Sequence, residues 1–488
     1  MKDQYQSSFK RYYLLVDLFL AIPFFTRAQQ TIPEQRFSIT HDHGTYNGQQ
    51  INYSVSVKEY FFYTDSGRTL AVSAMTTSYI KENNPVSSVR PVLFVFNGGP
   101  GASSSPLHMN ALGPYRIQYL KDTNTIIQNR YSLLDATDLV FIDPPGTGFT
   151  RIFNEKTATE FWDVKGDAQL FIDAIKQWKK ENHRDSSPVY LCGESYGTTR
   201  AAEILGIAKD LPLSGVIFLS SFFDLSAVAT APGNDLPYVL YLPSMAAVAW
   251  YHQKLNKKII SAEKAYADAM HFALTEYISA LAQGIGLSSK DKEQTAIKLS
   301  NIIGIPVQSI LEKNLRLTSK DFQLLLLAKE GKRTGQLDAE ITGPLNAPNV
   351  KPPFDDPSMK LTPSTRAIVK KYFNQTLQFA DTATYKTLNL DVNSKWNWSS
   401  MQEDLGYFTV APNILNALKE QPHLKLLVAG GYYDLATPLF AARYILDHIG
   451  VTHDRVNYIN FPTGHSIFEK EEELKNLTDQ IRDFIKKQ

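Results

Sequence analysis

Short, largely apolar runs recur along the chain at Val92–Phe96, Leu139–Ile142, Val189–Cys192, Val216–Leu219, Leu424–Ala429 and Val456–Phe461. A strand covered on both faces has no polar side to present, so such runs predict parallel strands in a buried sheet. The stretch from Phe37 to Ile80 behaves differently. It alternates, as in Ile51-Asn-Tyr-Ser-Val-Ser-Val57, and turn signals at Asn47-Gly48 and Asp65-Ser-Gly67 divide it, which predicts antiparallel hairpins leading into the sheet. Between the second and third apolar runs, Phe161, Val164, Ala168, Phe171, Ile175 and Trp178 recur at helical spacing. They predict a crossover helix whose aromatic residues are core rather than site.

From Leu225 to Asp381 the strand rhythm stops and helical periodicity takes over, clearest in Met245–Leu255, Ala262–Leu281 and Lys290–Ile303. Pro352-Pro353 and Asp356-Pro357 then mark loop. The economical reading is an α/β domain in two parts, residues 29–224 and 382–488, interrupted by a mainly helical insertion, 225–381; fold analogy alone implies that this insertion sits over the strand ends as a lid. A chain of 488 residues with 43% hydrophobic content can bury such a core. No internal repeat interrupts the pattern.

Charge adds little, and that is informative. Fifty basic residues against 49 acidic ones leave a net charge of +1, which provides no electrostatic footprint for a nucleic-acid partner. At the N-terminus, Lys2, Lys10 and Arg11 precede an apolar stretch from Tyr12 to Phe25 and the small-residue site Thr26-Arg27-Ala28. Residues 1–28 therefore predict a secretory signal, with export to the periplasm or beyond and no stable membrane insertion after cleavage. An uncleaved anchor is the competing reading, although the run is short for a span of about 20 residues. The single cysteine, Cys192, excludes an intrachain disulfide and reads as a packed small hydrophobe.

Candidate chemistry begins where the Val189–Cys192 run enters Gly193-Glu-Ser-Tyr-Gly197 and continues into the helical stretch Thr198–Lys209. A sharp strand-to-helix turn lifts Ser195 clear of the sheet, where a base can take its proton. Two later runs end in matching positions: Leu424–Ala429 leads into Gly430-Gly431-Tyr432-Tyr433-Asp434, and Val456–Phe461 into Pro462-Thr463-Gly464-His465. The order Ser195, Asp434, His465 is that of a hydrolase triad on a doubly wound sheet. His41 and His43 have no third ligand at recognisable spacing and read as a solvated hairpin rather than a metal site.

The remaining requirement is an oxyanion hole, and Asn97-Gly98-Gly99-Pro100-Gly101-Ala102-Ser103-Ser104 follows Phe96 directly. With the elbow, Phe141-Ile-Asp-Pro-Pro-Gly-Thr-Gly-Phe149, Asp434 and Gly464-His465, this string resembles the serine carboxypeptidase family, peptidase family S10. The resemblance runs from about Pro91 to Phe468. It implies an α/β-hydrolase fold and an enzyme that removes single residues from peptides with a free C-terminus, using no metal or organic cofactor. Carried over by position, Ser195 is the nucleophile, His465 the base and then acid, and Asp434 its orienting group; Gly99 and Tyr196 supply oxyanion N–H groups. Asn97, Gly98 and Glu194 match the positions that hold the substrate carboxylate.

The sequence also departs from the family pattern. Ala102 replaces a common half-cystine, Val95 a tryptophan, Ala111 a second glutamate, and Ser466-Ile467 a methionine and valine. These changes touch the carboxylate site and substrate preference more than the triad. An esterase or acyltransferase with the same triad stays open, as does a binding module with a vestigial triad, though three such residues at strand ends argue against the latter.

Overall fold

A computed structural model describes residues 33–64, 69–83, 89–120, 123–346, 355–359, 363–399 and 407–487. The predicted signal segment, the Asp65-Ser-Gly67 turn and Pro352-Pro353 lie outside the described residues. Thirteen strands are described: β1 Phe37–Tyr46, β2 Gln49–Thr64, β3 Thr69–Lys81, β4 Val92–Phe96, β5 Tyr115–Tyr119, β6 Asn124–Gln128, β7 Asp138–Asp143, β8 Val189–Glu194, β9 Gly215–Leu219, β10 Lys332–Thr334, β11 Thr342–Pro344, β12 Lys425–Gly431 and β13 Val456–Phe461. Nine of them form one sheet in the order β1-β2-β3-β7-β4-β8-β9-β12-β13.

The two hydrophobic patterns sort as predicted. The alternating segment makes the antiparallel meander β1 to β3, and Asn47-Gly48 makes its first turn with both residues at positive φ, 48° and 76°. All the apolar runs pair in parallel, from β7 across to β13. Burial on both faces explains why β4, β7, β8, β9 and most of β12 carry no polar alternation, whereas β13, at the sheet edge, exposes Asn457 and Asn460. In β4, Val92, Phe94 and Phe96 enter one core while Leu93 and Val95 enter the other.

On the first face, the crossover helix Val164–Glu181 supplies Phe171 and Trp178, packed edge-on against Phe96 and Phe94 at ring separations of 5.0 and 5.4 Å. Each such ring contributes on the order of 2–3 kcal/mol through burial. The other face is closed by Tyr372, Phe373 and the C-terminal helix Glu471–Lys486, whose Leu474, Leu477 and Ile481 are buried. The insertion is helical at Leu236–Tyr251, Ala262–Phe272 and Ser289–Ile303, and also contains the hairpin β10–β11. Pro243 lies inside the first of these helices. No helix among the described residues is long and apolar enough to cross a membrane.

Parallel pairing brings the C-terminal ends of β4, β8, β12 and β13 to one edge of the sheet. Every predicted site residue lies at or just beyond one of those ends, which is where an open α/β sheet presents its crevice.

Candidate active site

Ser195 follows β8 immediately and precedes the helix Tyr196–Ile207. Its backbone has φ 59° and ψ −128°, a conformation that L residues rarely adopt and that costs on the order of 1–3 kcal/mol. The surroundings hold it there: Ser195 N–H donates to the Leu219 carbonyl at 3.0 Å, and the Ser195 carbonyl accepts from Thr198 N–H at 2.9 Å. A Cβ at Gly193 would lie 2.2 Å from the Gly197 oxygen, so glycine is what allows the turn to close.

Asp434 and His465 come from the loops after β12 and β13, and they meet. His465 Nδ1 lies 2.7 Å from Asp434 Oδ2. The same carboxylate accepts from the N–H groups of Ala436 and Thr437 at 2.8 and 3.0 Å, and from the Thr437 hydroxyl at 2.8 Å. A carboxylate so surrounded is fixed as an acceptor; it places the proton on Nδ1 and leaves Nε2 for proton transfer. Burial opposes charge on the imidazole, but the Asp434 carboxylate outweighs it and pushes His465 up to about 9. His465 and Ser195 line one cavity of about 900 Å³.

At one side of that cavity Glu194 is 4% exposed. Asn97 Nδ2 donates to Glu194 Oε2, while Oε1 is buried without a hydrogen-bond partner. Burial raises the Glu194 carboxyl to about 7, against the lowering influence of His465 and Ser466. Asn97 is itself anchored, since its Oδ1 accepts from Leu107 N–H at 3.0 Å.

Gly98 completes the contact between the two loops. A Cβ on it would stand 2.4 Å from Tyr196 N, so the glycine turn lies directly against the first N–H groups of the helix that follows Ser195. Gly99 is next, at φ 102°. Among the described residues, the Gly99 and Tyr196 N–H groups are both left without a backbone carbonyl partner.

The structure thus gathers Asn97, Gly98, Gly99, Glu194, Ser195 and His465 around one cavity, with Asp434 behind His465 and Tyr196 at the adjoining helix start. Supporting residues went unnoticed in the sequence. Asp167 and Arg200 form a fully buried ion pair at 2.7 Å; Arg200 also donates to the Asn97 carbonyl at 2.7 Å, and Tyr196 Oη donates to Asp167 at 3.0 Å. Asp143, at the end of β7, accepts from Ser104 N–H and hydroxyl and from Tyr385 Oη, bracing the glycine loop. Charged residues inside otherwise apolar helix and strand patterns were the available signal.

The departures take definite places. Ala111 and Val95 are fully buried, Ala102 makes a backbone bridge to Leu388, Ile467 is buried, and Ser466 lines the cavity beside Glu194. Among the described residues no group of histidine, cysteine, aspartate and glutamate is arranged to hold a metal.

Known proteins resemble the chain in sequence and in fold. The serine carboxypeptidase family model matches residues 78–461, a span that includes Asn97, Ser195 and Asp434 and ends before His465. The pheromone-processing carboxypeptidase of Pyricularia oryzae is 30% identical over 116 residues, 24% of this chain and 18% of that protein. That of Tuber melanosporum is 32% identical over 116 residues, with the same shares. The chain therefore matches 18% of the length of these curated relatives. The crystal structure of a prohormone-processing carboxypeptidase from Saccharomyces cerevisiae shares the fold, with a TM-score of 0.54 at 15% identity over 88% of this chain and 91% of that one. On a family match across most of its length, the chain belongs to the serine carboxypeptidase family.

Proposed function

We propose that this protein is a serine carboxypeptidase that releases the last residue of a peptide through an acyl-enzyme on Ser195. The observation that carries the proposal is Glu194: a buried carboxyl raised to about 7, with one oxygen unpartnered, in the cavity of Ser195 and His465. A second carboxylate can approach it only if a proton is present between them. Protonated Glu194, the Asn97 amide and the Gly98 N–H form a cradle for the substrate terminus.

With the terminus held there, Ser195 Oγ attacks the carbonyl carbon of the last peptide bond while His465 Nε2 accepts the hydroxyl proton. The N–H groups of Gly99 and Tyr196 receive the oxyanion. His465 then passes the proton to the departing amine, the C–N bond breaks, and water resolves the ester by the reverse sequence. The arriving carboxylate drives a proton onto Glu194, so that the two carboxyl groups share a single negative charge. We further propose export of the chain through residues 1–28, and that the insertion 225–381 forms the outer wall of the cavity.

The test compares an N-acylated dipeptide, its C-terminal amide and a simple acyl ester. Release of free amino acid from the first, well ahead of cleavage of the amide at pH 6, is the expected result. Fast ester cleavage with no preference between acid and amide overturns the peptidase reading in favour of an esterase or acyltransferase.

A further inference from the structure

Both catalytic loops are tied to a single short arm of the insertion. The Gln336 carbonyl accepts from Leu435 N–H at 2.9 Å, the Leu337 carbonyl from His465 N–H at 2.6 Å, and Ala339 N–H donates to the Tyr433 carbonyl at 3.0 Å. Tyr433 and Leu435 flank Asp434, so the arm grips the acid loop on both sides and the histidine by its own amide. The fit leaves no slack: a Cβ on Gly464 would stand 2.6 Å from both the Leu337 oxygen and the Asp338 Cβ.

The opposite edge of the arm is clamped as well. Asp356 accepts from the N–H groups of Gln336 and Leu337 at 3.1 and 3.0 Å, and the Ser358 hydroxyl accepts from Asp338 N–H at 3.1 Å while donating to Asp356 at 2.8 Å. Three consecutive N–H groups thus point to Asp356 and Ser358, and the intervening carbonyls point to the triad loops. A peptide held on both edges has its position set by its two partners. Gln336, Leu337 and Asp338 of the arm, with Asp356 and Ser358, also line the cavity.

We infer that Asp356 and Ser358 are positioning residues for the proposed hydrolysis: through the arm Gln336–Ala339 they set the relation of His465 to Asp434, making the insertion part of the catalytic machinery. This rests on the triad reading above. The groups facing His465 are Asp434, Glu194 and Glu469, with Asp338 of the arm against the preceding glycine. Releasing the arm loosens the Asp434–His465 contact, the largest influence supporting the charged imidazole.

The experiment uses the whole protein with Asp356→Ala, Asp356→Asn and Ser358→Ala, each checked by thermal melting, and an acyl ester substrate that makes no demand on the carboxylate cradle. Expected for Asp356→Ala is a fall in kcat of about tenfold with little change in KM, together with a shift of the acid limb of kcat to lower pH. Asp356→Asn, which keeps one acceptor oxygen, should recover part of both effects. Ser358→Ala removes the acceptor for Asp338 N–H together with the hydroxyl that donates to Asp356, leaves the Asp356 carboxylate in place, and should move kcat in the same direction, about two- to threefold; it is the decisive variant if Asp356→Ala does not fold. Unmoved kcat and an unmoved acid limb in the folded variants, with Ser195 phosphonylated at the wild-type rate, overturn the inference. A wild type whose Ser195 resists phosphonylation instead removes the triad reading beneath it.

Discussion

Ser195 and Glu194 are adjacent in sequence, yet the fold gives them opposite environments. Ser195 is partly exposed on its strained turn, whereas Glu194 is sealed at the end of β8. Ser195→Ala removes the nucleophile without touching the packing beneath it. Turnover should fall by about three orders of magnitude or more with an unchanged melting temperature, because binding and the oxyanion donors survive. Near-normal turnover would exclude a serine mechanism. For Glu194 the sign follows from its raised value: the carboxyl is a donor below about 7 and an anion above it. Because the His465 titration is common to both substrates, kcat/KM for free-acid peptides relative to that for amidated peptides should therefore drop as pH rises through 7. Glu194→Gln donates at every pH and should flatten the drop. The preference at stake is about ten- to a hundredfold, the range for a hydrogen bond to a charged partner.

At the scale of elements, the proposed mechanism depends on how closely the glycine turn after β4 approaches the helix after Ser195. Gly98→Ala would place a methyl group 2.4 Å from Tyr196 N, so one of the two segments must retreat. The proposed oxyanion donors Gly99 and Tyr196 lie on opposite sides of that contact. A separation of even a fraction of an ångström should lower kcat about a hundredfold or more, an effect of the size expected for a lost oxyanion donor. Steady-state kinetics with an acyl ester gives the direct reading. Wild-type kcat in this variant would remove one of the two proposed donors.

Over the whole molecule, two buried histidines oppose each other in pH. His108 stacks on Phe141 at a ring separation of 4.3 Å, bonds Tyr79 Oη at 2.7 Å and has Nδ1 buried without a partner; burial depresses it from 6.5 to about 3. The unfolded chain binds that proton first, so stability is complete above 6.5 and declines as pH falls toward 3, by at most about 1.4 kcal/mol per unit. His465 is raised to about 9, so its contribution is full below 6.5 and is lost as pH climbs through 9. Acid conditions that protonate Glu194 thus erode stability through His108. His108→Phe keeps the stacked ring without a titrating group, and its melting temperature should fall less than that of the wild type between pH 6.5 and 4. Parallel melting curves over that range would show that His108 titrates no differently on folding.

The hydrophobic pattern alone determined the sheet. Runs buried on two faces cannot alternate and half-buried ones must, so Val92–Phe96 was legible to the residue and the meander β1 to β3 was legible from Ile51–Val57; Val456–Phe461 also matches its strand, although at the sheet edge it exposes Asn457 and Asn460. Ser195, Asp434 and His465 were legible for a related reason: each follows a strand end and is marked by the glycines the turn requires. The hairpin β5–β6, Tyr115–Tyr119 with Asn124–Gln128, was not, because five-residue strands without a tight-turn signature form through packing against neighbours rather than through local preference. The same holds for Arg200 beneath Asn97 and for the arm at Leu337, which reaches His465 from 128 positions away in the chain. A backbone carbonyl has no residue identity to read. Its partner is chosen only when the chain closes on itself, so the residues proposed to carry the chemistry were written in the sequence and their bracing was decided by the tertiary structure.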